Sequence, residues 1–141
     1  MKMSKTVAWA VLVLVVAGFA ACGGGGKYGA VKSVMGKQIA VMESFAAAME
    51  KAGNAQDVAA ALNAYAAEQK DLMPEMMDLQ KKYPELATQK EPPAELKAEM
   101  EKLQQIGMRV ASASMKAAQY MADPVVQEAQ KKLAESMASM K

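Results

Sequence analysis

Between Val58 and Leu86 the positions Val58, Leu62, Tyr65, Gln69, Leu72, Met76, Leu79, Tyr83 and Leu86 cover 28 residues in eight steps, a mean of 3.5. Such spacing lays side chains along one face of a helix, and its period favours left-handed, coiled-coil-like packing against neighbours. A second face of this kind runs upstream through Val31, Met35, Gln38, Met42, Phe45, Met49 and Ala52. A third runs downstream through Leu96, Met100, Leu103, Gly107, Val110, Ser114, Ala117 and Met121. No stretch alternates β-branched residues with period two between turn signals, so no sheet is expected.

The punctuation between these faces predicts where the helices stop. Gly53 offers a C-terminal stop, and Asn54, three residues before Asp57, offers the next N-cap with an acidic first turn. A link this short makes the first two helices antiparallel neighbours. Pro74 removes one backbone bond inside the second helix, which predicts a kink near Lys70 to Met73. Pro84, Pro92 and Pro93 punctuate a polar connection, with Pro93 suited to the first turn of helix three. Along that helix Gly107, Ala111, Ser114 and Ala118 are small enough to let a neighbouring helix approach closely. Asp123 and Pro124 read as N-cap and first residue of a short fourth helix, with Val126, Ala129, Leu133, Met137 and Met140 inward. The predicted fold is all-α: an antiparallel helical bundle of four helices, the fourth short, over residues 28–141.

Length and charge narrow the function. The chain has 141 residues, a single domain's length, with 17 Lys+Arg, 15 Asp+Glu and a formal charge of +2, too small an excess for a nucleic-acid footprint. There is no His, which excludes Ser-His-Asp and Cys-His nucleophile systems, His-containing zinc sites and the Glu-x-x-His di-iron motif. No enzymatic activity, metal site or resident cofactor is expected.

The N-terminal segment carries an address. Lys2 and Lys5 precede an apolar run from Val7 to Phe19, the layout of an export signal. At about 1.5 Å per residue that run covers roughly 20 Å, short of the ~30 Å bilayer core, so a permanent span is the weaker reading. Next comes Phe19-Ala20-Ala21-Cys22, one apolar residue, two small ones and a cysteine. This resembles the lipobox of bacterial lipoproteins. The resemblance implies a signal peptide over 1–21, cleavage before Cys22, a diacylglyceryl thioether on its sulfur and an acyl group such as palmitate on the new amine. Two or three chains exceed the single chain that holds only marginally, at about 0.8 kcal/mol per buried CH₂.

Residues 22–27 then form the lipidated cysteine and a glycine linker, whose four glycines predict a coil reaching roughly 10–12 Å. Gly23, in place of Asp, resembles the sorting signal that sends lipoproteins of enteric bacteria to the outer membrane, which implies a periplasm-facing location. Lys2 and Lys5 leave with the signal, so the remaining chain has 15 basic and 15 acidic side chains and no large electrostatic pull toward anionic lipid or nucleic acid.

Other candidate chemistry competes with ordinary packing. Fourteen methionines, with Met35, Met42 and Met49 at sevens and Met73, Met76 and Met77 around Pro74, could supply soft thioether ligands for Cu(I), or axial ligands for haem as in bacterioferritins. Heptad-spaced Met is also ordinary core filler, which is the stronger reading. Glu91, Glu95 and Glu99 are expected on a solvated face opposite Leu96, Met100 and Leu103, laced with Lys97 and Lys102. Tyr28, Tyr65, Tyr83 and Tyr120 could line a ligand groove, though core-edge phenols are commoner. Lys141 resembles the terminal lysine through which murein lipoproteins are joined to peptidoglycan, although a basic residue also suits a helix C-terminus.

The expectation is therefore a lipid-anchored envelope lipoprotein whose non-catalytic bundle is an interaction or structural module, with a protein partner or self-association. The alternative is a periplasmic carrier that admits an apolar molecule, haem or Cu(I) into its Met/Ala-rich core at the Pro74 kink.

Overall fold

The computed structural model describes residues 26–138. Cys22, the rest of the predicted signal and linker through residue 25, Met140 and Lys141 lie outside them. Within that range the chain is helical: α1 (Gly29–Lys51), α2 (Ala55–Lys82), a single-turn α3 (Glu85–Thr88), α4 (Lys97–Lys116) and α5 (Pro124–Ala138). Two 3₁₀ turns, Ala94–Leu96 and Ala117–Tyr120, lead into and out of α4. The described residues contain no strand, and none of their helices is long and apolar enough to cross a membrane.

Local chemistry sets the boundaries. Asn54 Oδ1 accepts from the Asp57 N–H at 2.9 Å, and Asp57 Oδ2 accepts in return from the Gly53 N–H at 3.1 Å. Two orphan donors are thus satisfied across the short link, an arrangement related to the capping box. At the start of α5, Asp123 Oδ1 accepts from the Val125 N–H at 3.0 Å and Pro124 takes the first helical position, as its missing N–H allows. Helix α2 continues through Pro74, which is exposed, so water can serve the carbonyl that proline leaves unbonded.

The proline-rich connection differs from expectation. Pro84 stands before α3, and Leu86 is buried on that separate turn rather than on the helix of Val58. Pro93 precedes the 3₁₀ turn, so α4 starts four residues later, at Lys97.

Helix α1 packs against α2 and α4, and α2 also carries α5. Helices α4 and α5 hardly approach each other, although only a 3₁₀ turn and a short bend separate them. Ion pairs stitch the packed faces: Lys37 to Glu75 between α1 and α2, and Arg109 to both carboxylate oxygens of Glu50, at 2.8 Å each, between α4 and α1.

Two apolar clusters divide the interior. One gathers Tyr28, Val31, Val34 and Met35 with Leu72, Leu79, Leu86, Leu96, Leu103 and Ile106. The other gathers Phe45, Met49, Val58, Leu62 and Val126 with Ala55, Ala59, Ala61, Ala113, Ala117 and Ala129. On α4 the buried positions are Leu103, Ile106 and Ala113, whereas Gly107 and Ser114 sit at the margin. The small-residue contact predicted there does not form among the described residues. Ala111 and Ala118 are exposed, and a methyl at Gly107 would meet no atom within 4 Å.

Candidate functional site

The short link brings the last turns of α1 beside the first turns of α2, and both present alanine there. Ala48 and Lys51 from α1, with Ala52 just after it, face Asp57, Ala60, Ala61 and Ala64 from α2 across an open groove of about 470 Å³. A methyl group is too short to fill the space between two helices, so the surface stays concave where Leu or Met would have closed it. Lower on α1 and α2, the Lys37–Glu75 pair bridges the two helices.

One rim is basic and the other acidic. Lys51 makes none of the described ion pairs, and Asp57 uses one carboxylate oxygen on the Gly53 N–H. The lining is mostly alanine methyl, with Lys51 and Asp57 as its charged groups, a surface suited to apolar contact and charge pairing. The α4–α5 bend is tied to the same end of the molecule, because the Tyr120 hydroxyl donates to the Gly53 carbonyl at 2.9 Å.

Between the two apolar clusters lies a polar layer. Gln38 is 3 % exposed and Gln69 9 %, and neither Gln38 Oε1 nor Gln69 Nε2 has a hydrogen-bond partner. Tyr65 packs on Phe45 with ring centroids 4.6 Å apart. Burial pushes its phenol above the ordinary value of 10.0, against the opposing influence of the neighbouring Gln69 and Gln38 amides.

The sites suggested by sequence are dispersed. Met35 and Met49 are buried and Met42 packs against the leucine cluster, which are core-filling positions. Met108 and Met115 instead project from α4, 61 % and 78 % exposed. Among the described residues no group of three or more His, Cys, Asp or Glu is placed to hold a metal ion.

The four tyrosines do not share a groove. Tyr28 and Tyr83 are neighbours in the leucine cluster, Tyr65 lies at the polar layer, and Tyr120 latches the far end. Of the three carboxylates expected on a solvated face, Glu91 and Glu95 are exposed. Glu99 turns inward, with Oε2 buried and unpartnered. Lys131 and Lys132 lie on the polar side of α5, paired with Glu135 and Glu128.

The alanine groove was missed in the sequence, although it left a trace. Ala48 and Ala52, like Ala60 and Ala64, are four residues apart beside an apolar stripe, a second and narrower face on each helix. Comparison with protein-family models, with curated proteins and with solved structures finds no match.

Proposed function

We propose that this protein is a lipid-anchored lipoprotein of the bacterial envelope whose non-catalytic bundle is an interaction module, held by acyl chains on Cys22 and offering its alanine groove to a protein partner. In this reading the anchor lies in the outer membrane and the bundle faces the periplasm. The four long helices form an antiparallel bundle in which α1 leaves the membrane and α2 returns.

The observation that carries the reading is a separation of ends. Six residues after Cys22 the chain enters the leucine cluster at Tyr28, 8 % exposed. The groove opens about twenty residues further along α1, and a helix rises about 1.5 Å per residue. An anchor at one end and a concave, charge-rimmed surface roughly 30 Å away suit a protein that stands on a membrane and meets a partner at its tip.

Metabolic labelling of the full chain with a palmitate analogue, followed by membrane fractionation, tests the anchor. The native chain is expected to carry label and sediment with envelope membranes, whereas Cys22→Ser loses the label. An unlabelled native chain, or a Cys22→Ser chain labelled as strongly as the native one, would overturn the reading.

A further inference from the structure

We propose that the partner seated in the alanine groove is the same groove of a second copy, forming a two-fold dimer; this rests on the anchored interaction module above and names its partner. A two-fold interface requires one patch to carry both what it offers and what it accepts. This patch does so: Lys51 stands on the α1 rim and Asp57 on the α2 rim. Glu68, exposed and eleven residues beyond Asp57, falls on the same helical face as Asp57. An axis running along the helices sets Lys51 of each copy against the acidic rim of the other, so the attraction is made twice. A partner carrying one sign of charge would leave one rim unmatched.

The remaining charges mark where the surface ends. Lys37 and Glu75, further along α1 and α2, already neutralise each other, whereas Lys51 and Glu68 make none of the described ion pairs. Alanine methyls let helices approach to the short end of the usual 8–10 Å interaxial range. Lys51 and Asp57 flank one short link and stand at similar height. Copies anchored in one membrane share their direction, and only an axis along the membrane normal preserves it while pairing like heights.

The test uses the full chain extracted from envelope membranes in mild detergent. Sedimentation velocity across a dilution series is expected to show a species of twice the chain mass. Isotopically heavy and light chains are then mixed and joined with a carbodiimide, which links ammonium to carboxylate without a spacer. Mixed-isotope peptides joining Lys51 to Asp57 are expected. Ala60→Trp and Ala64→Trp alter exposed positions, so helicity and melting should persist while the dissociation constant rises at least about tenfold.

A chain that is monomeric at every concentration overturns the proposal, as does a dimer indifferent to both tryptophans, or one without mixed-isotope links at Lys51. Capture of a different protein by a monomeric chain also overturns it. Palmitate labelling is read separately on the same samples. A dimer from unlabelled Cys22→Ser chain supports groove pairing even where the anchor fails, and a labelled monomer refutes groove pairing while leaving the anchor intact.

Discussion

The leucine cluster and the alanine cluster draw on the same helices, yet they hold those helices together by different means. Around Leu72, Leu79, Leu96 and Leu103 each side chain removes a large apolar area from water, worth about 1.5–3 kcal/mol per fully buried leucine. Around Ala55, Ala59, Ala113 and Ala117 each contact contributes roughly one methyl, near 0.8 kcal/mol. The alanine region compensates by close approach and by polar fastening: the Asn54–Asp57 cap, the Tyr120–Gly53 hydrogen bond and the Glu50–Arg109 pair all lie there. Large leucine side chains dominate one end, while the other combines Phe45, Met49, Val58 and Val126 with small alanines and opens into the groove.

The sharpest test of that contrast is Leu103→Ala, which removes a 6 %-exposed side chain from the leucine cluster. It should cost about 2–5 kcal/mol in urea unfolding followed by circular dichroism. A loss below about 1 kcal/mol would show that the leucine end is not where the fold is held.

Ala113→Leu asks the opposite of the other end. Ala113 is 1 % exposed, so added methylenes must displace neighbours, and a loss of about 1–3 kcal/mol is expected. A stabilised variant would mean that the alanine cluster has room to spare.

The double change Gln38→Leu with Gln69→Leu erases the boundary between the clusters. Because one buried amide atom on each residue already lacks a partner, the double variant should unfold at equal or higher urea concentration than the native chain. Unfolding at clearly lower urea would show that the polar layer contributes net stability.

The smallest effects come from pH. Hydrogen bonding from Arg109 holds the pKa of the Glu50 carboxyl below its ordinary 4.5, so the folded chain holds fewer protons there than the unfolded one in the carboxylate range. The contribution is present above the unfolded value and disappears as pH falls through the folded one. Tyr65 behaves inversely. Its raised value gives a contribution present below pH 10.0 that is lost as pH rises through the folded value. Melting midpoints should therefore fall less in acid for Glu50→Gln, and less in strong alkali for Tyr65→Phe, than for the native chain.

Much of the architecture was legible because it depends on local chemistry. Asn54 and Pro124 carry their boundary signals in their own side chains, and the stripes through Met35, Met49, Leu62, Leu72 and Leu103 predict buried faces that are indeed buried. The errors are errors of phase. A strict seven-residue count drifts against the 3.6-residue turn of a helix, so on α4 it selected Gly107 and Ser114 where Ile106 and Ala113 lie inward. Glu99 was set on the outer face by the same count.

The groove was hidden for a different reason. Alanine is as common in a tight core as on a bare helix surface, and whether Ala60 or Ala61 is covered depends on where α5 lies, which no local pattern encodes.

The unequal attachment of the helices also governs how the molecule comes apart. Helix α1 is gripped by two neighbours, whereas α5 rests on α2 with Val126 and Ala129 buried, and Met137, on the same side, is 57 % exposed. The least costly opening is therefore to lift α5 from its C-terminal end while α1, α2 and α4 stay packed. In amide hydrogen exchange the last two turns of α5 should exchange first and the middle of α1 last. A protease would find its earliest cleavage site in those same turns.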